Sequence, residues 1–137
     1  MRLSIIAPCY NEEEVLPMTL KRLKDLSVLL VSRDDCAEIE FVMIDDGSQD
    51  RTSELLTEAS KADKRIKVVR FSRNFGHQAA LLAGYEFAKG DVIVSLDADL
   101  QDPPELIGSM LDKIKEGHDV VYAARKSREI DSLFKRK

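Results

Sequence analysis

The sequence contains no tryptophan and only two cysteines among its 137 residues. Two cysteines are too few for a disulfide framework or a cluster of metal-binding thiolates, so both kinds of protein are disfavoured. We expect Cys9 and Cys36 to be reduced thiols, as is usual for a cytosolic protein. Cys9 ends an apolar run, which predicts that it packs as a small buried hydrophobic residue.

Long apolar segments are also missing. No stretch approaches the roughly 20 apolar residues that a membrane-spanning helix needs. Residues 1–4 run into Asn11 and three glutamates, which is not the pattern of a signal peptide. With 44% hydrophobic and 34% charged residues, we expect a soluble globular chain. The net charge of −4 argues against nucleic acid as a partner.

Two nucleotide-binding signatures are absent. No Gly-x-Gly-x-x-Gly follows the first predicted strand, and no Gly-x-x-x-x-Gly-Lys occurs in the chain. Their absence disfavours a NAD site and a P-loop ATPase.

The sequence does contain an alternation of apolar strands and amphipathic helices. Asn11 and Glu14 predict a capping box before the first helix, although Pro17 predicts a late or irregular first turn. The order β-α-β-α-β-α-β-α-β predicts a three-layer α/β/α domain with a mostly parallel sheet. The predicted strands are residues 3–8, 40–44, 66–71, 92–96 and 119–123, and the later helices are residues 50–62, 78–89 and 103–116.

The central stretch is residues 91–105, which read Asp-Val-Ile-Val-Ser-Leu-Asp-Ala-Asp-Leu-Gln-Asp-Pro-Pro-Glu. A buried strand is followed by Asp97 and Asp99, whose side chains lie on the same side of an extended chain. Two such carboxylates repel each other unless a cation or a donor group lies between them, and a hard divalent ion such as Mg²⁺ meets that need. The alternative is a pair of solvated loop acids. Asp102 and Pro103 predict the start of the next helix.

Polar residues follow three other predicted strands, and right-handed crossovers bring all these strand ends to one edge of the sheet. Asp45 and Asp46 precede Gly47. This segment is either an ordinary turn, with Ser48 or Asp50 capping a helix, or a carboxylate site for a ribose hydroxyl or a base N–H.

Two basic candidates lie after the third predicted strand. Arg73 either offsets the charge of a diphosphate or is an ordinary surface arginine. His77 stands alone at a helix start, which is more typical of an exposed or hydrogen-bonded side chain than of a ligand.

Taken together, these motifs resemble glycosyltransferase family 2, the inverting enzymes with the Rossmann-like GT-A nucleotide-sugar fold. The matching segments are Ala-Pro-Cys-Tyr-Asn-Glu-Glu at 7–13, Ile-Asp-Asp-Gly-Ser-Gln-Asp-Arg-Thr at 44–52 and Asp-Ala-Asp at 97–99. Residues 74–80, 100–107 and 119–122 resemble the polyprenyl-phosphate branch more narrowly, which includes dolichyl-phosphate mannose synthases and bactoprenol glucosyltransferases. The resemblance covers nearly the whole chain in order.

The resemblance implies a role for each matching residue. Among the donor-binding residues, Pro8, Tyr10 and Glu12 would line the nucleotide pocket. Asp45 and Asp46 would lie at the base or ribose, and Asp97 at the ribose or metal. Gln101 would lie beside the sugar and phosphates, and Arg125 near the donor phosphates. Asp99 would be the main ligand of Mg²⁺ or Mn²⁺ on the diphosphate, with Asp97 beside it. No catalytic base is assigned.

The implied reaction is metal-dependent, inverting transfer of a hexose from a UDP- or GDP-sugar, of the UDP-glucose or GDP-mannose class, to undecaprenyl or dolichyl phosphate. Members of the family run on for well over a hundred further residues, so we expect this chain to be part of a longer protein. We expect residues 1–125 to form the nucleotide-sugar domain. Residues 126–137, with five basic and two acidic side chains, would be a tail leading to an acceptor or membrane region at the cytoplasmic side of a membrane.

Three alternatives stay open. The chain could bind a nucleotide sugar without turnover, because the acceptor half is absent. It could be a phosphatase that forms an aspartyl-phosphate, although in that class Asp-x-Asp follows the first strand and here it follows the fourth. A nucleotidyltransferase would need a glycine-rich basic loop after the first strand, and residues 10–13 do not form one.

Overall fold

The computed structural model describes residues 1–33, 36–99, 106–117, 120–126 and 129–135, with backbone alone for the last two ranges. Gln101, Asp102, Pro103 and Asp119 lie outside the described residues. The chain forms two compact units, residues 1–101 and residues 102–137.

The first unit is built on a four-stranded parallel sheet in the order β3-β2-β1-β4. β1 is Arg2–Cys9, β2 is Glu38–Asp45, β3 is Ile66–Arg70 and β4 is Val92–Ser95. β1 and β2 form the centre of the sheet and are buried along most of their length. Burial on both faces explains why these strands read as continuous apolar runs instead of alternating ones.

Three helices of the first unit cover this sheet: α1 (Leu16–Val31), α2 (Thr52–Ala62) and α3 (His77–Phe87). α3 packs on β1 and β2, with Ala80 buried against Ile6 and Ile44. A Cβ at Gly84 would lie only 2.9 Å from Ile44 Cδ1, so small residues allow α3 to lie close to the sheet. Right-handed crossovers put α1 and α2 on the opposite face. The predicted three-layer arrangement is therefore confirmed.

The start of α1 differs from the predicted capping box. The helix begins at Leu16 and has no side-chain hydrogen bond at its cap, so the capping role predicted for Asn11 and Glu14 is wrong. Pro17 lies in the first turn, where a missing N–H is tolerated, and this confirms the late start. Asn11 instead adopts a left-handed backbone with φ of 50°.

The second unit contains α4 (Leu106–Lys115), β5 (Val120–Lys126) and β6 (Glu129–Lys135). β5 pairs antiparallel with β6 in a separate two-stranded sheet. The predicted fifth strand is present as β5, and its partner is the strand that follows it, β6. β6 was not predicted, because its residues were assigned to a basic tail; the proposed division at residue 125 stays a prediction.

Within the described ranges, none of the four helices combines the length and the apolar character needed to cross a membrane. Cys9 and Cys36 are both free and buried, which confirms Cys9 as a packed apolar residue.

Candidate functional site at the carboxyl edge of the sheet

The strand order reverses between β1 and β4. The chain passes from β1 outward to β2 and β3, then returns to place β4 on the other side of β1. Ligands of open α/β sheets bind in the crevice that such a reversal leaves at the carboxyl ends of the strands. The polar loops that follow β1, β2, β3 and β4 meet at this edge.

A cleft of about 350 Å³ lies at the reversal, and we call it the acidic cleft. It joins the loop after β1 to the Asp-Ala-Asp turn after β4, with the loop after β3 as a third wall. Its lining residues are Pro8, Cys9, Tyr10, Glu12, Asp46, Asn74, Gly76, His77, Asp97, Ala98 and Asp99.

The turn that carries the two aspartates is anchored to the rest of the first unit. Ala98 is 2% exposed, and its carbonyl accepts a 2.5 Å hydrogen bond from the Thr19 hydroxyl of α1. The N–H of Leu96 donates to the Ile6 carbonyl at 2.9 Å and extends the pairing of β4 with β1. Asp97 and Asp99 are exposed on either side of the buried Ala98. Both residues line the cleft. They do so from a turn at residues 98–99 and not from the extended chain that the sequence argument assumed.

Glu12 faces these carboxylates from the end of β1. Partial burial raises the pKa of Glu12, and the negative charges of Asp99, Asp50 and Asp97 raise it further. Burial and like charges both disfavour an ionised carboxyl group. The cleft therefore concentrates negative charge, which a cation would offset.

Within the described ranges, no group of three or more histidine, cysteine, aspartate or glutamate side chains is arranged to hold a metal ion. Mg²⁺ commonly takes only one or two protein carboxylates and completes its shell with water and substrate phosphates. The exposed carboxylates of Asp97 and Asp99 offer the hard oxygen ligands that such an ion requires.

Asp46 anchors the loop after β3. It is 4% exposed, and its two carboxylate oxygens accept hydrogen bonds from the N–H groups of Phe75 at 2.8 Å and Gly76 at 3.1 Å. These bonds turn the loop so that Asn74 and Gly76 line the acidic cleft. Asp46 also lines that cleft. Its predicted contact with a base or ribose stays a prediction.

Asp45 lies beneath the surface and is fully buried. Its Oδ1 accepts from the Ser48 N–H at 3.0 Å, and its Oδ2 has no hydrogen-bond partner among the described residues. It is not among the residues that line either of the two clefts described here. Its predicted role in binding the base or ribose stays a prediction.

A second cleft of about 430 Å³ adjoins the first and shares Tyr10 and Asn74 with it. We call it the arginine cleft. The Arg73 guanidinium lies over the Phe75 ring at 4.3 Å, and Phe71 meets that ring edge-on at 5.6 Å. Arg73 is thus held by an aromatic side chain at the cleft. The lining residues are Tyr10, Gly47, Ser48, Gln49, Arg70, Phe71, Ser72, Arg73 and Asn74.

The structure brings most of the predicted site residues together. Those that line the acidic cleft are Pro8, Tyr10, Glu12, Asp46, Asp97 and Asp99. Gln101 lies outside the described residues. Arg125 lies on β5 in the second unit, where the backbone alone is described.

Sequence reasoning missed two contacts of the loop between β2 and α2. Asp50 and Thr52 were considered only as part of a helix start and a family motif. In the structure they accept hydrogen bonds from the loop after β1. Their place directly after Asp46-Gly47-Ser48, in the segment that resembles the family motif, was the available signal.

Comparison with known proteins finds one family model that matches nearly the whole chain. The family model described as Glycosyl transferase family 2 matches residues 4–137. An uncharacterized glycosyltransferase, YkcC, from Bacillus subtilis is 49% identical over 134 residues, covering 97% of this chain and 40% of the relative.

Two further relatives have more specific names. The undecaprenyl-phosphate 4-deoxy-4-formamido-L-arabinose transferase of Pectobacterium carotovorum is 44% identical over 134 residues, which is 97% of this chain and 39% of the relative. The prophage bactoprenol glucosyl transferase homolog of Escherichia coli is 38% identical over 137 residues, which is 100% of this chain and 43% of the relative. The chain thus spans about 40% of the length of these relatives.

Solved structures share the fold. Staphylococcus aureus TarS in complex with UDP-GlcNAc superposes with a TM-score of 0.66 at 26% identity, over 88% of this chain and 33% of TarS. The mannosyltransferase PcManGT of Pyrobaculum calidifontis, in complex with GDP-Man and Mn²⁺, gives a TM-score of 0.66 over 93% of this chain and 36% of PcManGT. At 21% identity the second likeness supports the fold alone.

Proposed function

The chain belongs to glycosyltransferase family 2, and on that premise we propose that it carries the nucleotide-sugar site of an enzyme that transfers a hexose to a polyprenyl phosphate. The observation that carries the proposal is the acidic cleft at the strand reversal, where Glu12, Asp97 and Asp99 converge. The acceptor class is suggested by relatives named for undecaprenyl phosphate and bactoprenol.

The two adjoining clefts suit the two ends of a nucleotide sugar. We infer that the nucleoside lies at the arginine cleft, where Tyr10 is 43% exposed and offers an aromatic face. The diphosphate would then lie in the acidic cleft beyond Tyr10, next to Asp97 and Asp99. Arg73 would offset phosphate or base charge from its position on Phe75.

Asp97 and Asp99 would hold Mg²⁺ or Mn²⁺ against the donor. Two exposed carboxylates facing a third acid are a poor site for a bare diphosphate and a good one for a diphosphate bound to a divalent ion. When bound, the ion supplies Lewis-acid stabilisation of the nucleoside diphosphate that leaves. The protein residues fix the orientation of the donor and keep its anomeric carbon open to attack from the opposite face.

The acceptor oxygen of a polyprenyl phosphate is already anionic, so the attacking group needs little help from a general base. No described residue is assigned as that base. Gln101 beside the sugar and Arg125 near the phosphates remain proposals from the family resemblance. Donor identity, inversion at the anomeric carbon and a location at the cytoplasmic side of a membrane are likewise proposals.

A second candidate is a nucleotide-sugar-binding module that does not turn over by itself. The described site residues are all assigned to the donor, and none to the acceptor or to a general base.

A thermal-shift screen tests the donor site. We expect one class of UDP- or GDP-hexose to raise the melting temperature of the 137-residue chain in the presence of Mn²⁺ or Mg²⁺, because a ligand that binds only the folded state stabilises it. The shift should be lost when the ion is removed with a chelator. No shift with any nucleotide sugar would contradict the proposal.

Turnover separates the two candidates. Incubation of the chain with the stabilising donor and undecaprenyl phosphate should give a lipid-linked sugar if the chain is catalytically complete. Donor binding without product would favour the binding module.

A further inference from the structure

The loop after β1 and the loop after β2 hold each other through side-chain hydrogen bonds. Three consecutive backbone N–H groups of residues 11–13 donate to side chains that follow β2. The pairs are Asn11 N–H to Ser48 Oγ at 3.0 Å, Glu12 N–H to Thr52 Oγ1 at 2.8 Å and Glu13 N–H to Asp50 Oδ2 at 3.2 Å.

The bonding also runs in the opposite direction. The N–H of Gln49 donates to Asn11 Oδ1 at 2.9 Å, and the N–H of Arg51 donates to Glu13 Oε2 at 3.3 Å. We call this set of five bonds the clasp. The bonds to Thr52 and Asp50 are partly buried, so a shift of either loop would leave these groups unpaired.

Thr52 and Asp50 form the inner part of the clasp. Thr52 is fully buried, and its hydroxyl accepts from the Glu12 N–H. Burial opposes ionisation of Asp50, but hydrogen bonds from the hydroxyl and N–H of Thr52 and from the N–H of Glu13 lower its pKa overall. Hydrogen bonds that share a hydroxyl in this way polarise one another.

The clasp determines where two cleft residues project. Tyr10 and Glu12 flank Asn11, whose φ of 50° turns the backbone between them. Tyr10 lines both clefts and Glu12 lines the acidic cleft, whereas neither Asp50 nor Thr52 is among the lining residues of either cleft. The clasp residues therefore act on the site through the backbone of the first loop.

We propose that Asp50 and Thr52 are positioning residues for donor binding, which hold residues 10–13 so that Tyr10 and Glu12 face the nucleotide sugar. This proposal rests on the proposed function. If the loop adopted its binding geometry only part of the time, the apparent affinity for the donor would fall by that fraction. A loop that is already held in this geometry avoids the loss.

Amide hydrogen exchange tests the clasp without any ligand. Thr52→Val keeps the shape of the side chain but removes the acceptor of the Glu12 N–H, whereas Thr52→Ser keeps the hydroxyl. We expect Thr52→Val to speed exchange of the Glu12 and Glu13 amides by about tenfold relative to those of β1. Thr52→Ser should preserve their protection.

Thr57→Val is the matched control, because Thr57 is exposed on the same helix and its hydroxyl donates to the Ser53 carbonyl at 2.9 Å, outside the clasp. Asp50→Asn is a second variant, and it changes the side chain that accepts from the Glu13 N–H. Protection of residues 11–13 that is unchanged in both Thr52→Val and Asp50→Asn would overturn the proposal.

Donor affinity distinguishes positioning from simple stabilisation. At a temperature where every variant is folded, Thr52→Val and Asp50→Asn should weaken donor binding in Mn²⁺ by about tenfold, with Thr52→Ser and Thr57→Val near wild type. If Thr52→Val and Asp50→Asn lower the melting temperature but leave the Kd for the donor unchanged, the positioning role is contradicted and the proposed function is not. A wild-type chain that binds no nucleotide sugar would instead contradict the proposed function.

Discussion

Asp45 and Asp46 are neighbours in the chain but lie in different surroundings. Asp46 accepts two backbone hydrogen bonds from the loop after β3 and still reaches the acidic cleft. Asp45 is buried behind it and accepts from Ser48. The sequence could not separate these roles, because the difference depends on which loop from elsewhere in the chain packs over each carboxylate.

Glu12 is a proposed binding residue whose negative charge is disfavoured in the folded chain. Its pKa is raised by partial burial and by Asp99, Asp50 and Asp97, so its ionised form is disfavoured in the folded chain. The stability that depends on a protonated Glu12 is present below the pKa of the unfolded state and is lost as the pH rises through the folded pKa.

We therefore expect Glu12→Gln to raise the melting temperature of the ligand-free chain by a few degrees at pH 7, because it removes an acid from a cluster of acids. The advantage over wild type should disappear below about pH 4, where Glu12 is protonated. Glu14→Gln, at an exposed position two residues away, is the control. Melting curves between about pH 3 and pH 8 measure the effect, and an advantage that stays constant with pH would contradict it.

The site depends on the loops after β2 and β3, which pack against one another. Gly47, in the loop after β2, has φ of 73°, and a Cβ there would lie 2.2 Å from the backbone carbonyl carbon of Arg73. Asp46 holds the same two loops together through Phe75 and Gly76. The glycine permits the contact that creates the wall shared by the two clefts.

Gly47→Ala should destabilise the chain by about 2–4 kcal/mol, because a strained φ and a clash with backbone act together. Gly76→Ala is the matched comparison: Gly76 has φ of 103°, and a Cβ there would meet nothing within 4 Å. We expect that variant to cost less, about 1–3 kcal/mol, from backbone strain alone at φ of 103° and ψ of 161°. Urea unfolding measures both, and equal costs would show that the close approach to Arg73 is unimportant.

The elements themselves were largely predictable, and the exceptions have physical causes. Continuous apolar runs predicted β1 to β4, since parallel strands are buried on both faces. Asn11 resembled a helix cap, but its side chain bonds to Gln49, a partner distant in sequence. β6 was missed because Glu129–Lys135 combines apolar residues with the charges that suggested a solvated tail.

For the whole molecule, the fold and the position of the site followed from the sequence more readily than the details of the site. Alternating strands and helices predicted one edge at which all strand-end loops meet. The sequence did not predict the order β3-β2-β1-β4, which places the end of β1 beside that of β4 and so brings Glu12 to Asp97 and Asp99. That order arises from packing between distant segments.

We propose that a divalent ion at Asp97 and Asp99 links this edge to the diphosphate of a nucleotide sugar. Calorimetric titration of the donor into the 137-residue chain, with and without Mn²⁺, measures this link. Asp99→Asn removes a ligand charge at constant shape, and Asp25→Asn makes the same change at an exposed position of α1.

We predict that wild type and Asp25→Asn bind the donor with an affinity that depends on Mn²⁺, and that Asp99→Asn weakens that metal-dependent binding by more than about tenfold. Equal donor affinity with and without Mn²⁺, or an Asp99→Asn variant that matches wild type, would show that no ion at Asp97 and Asp99 bridges to the donor.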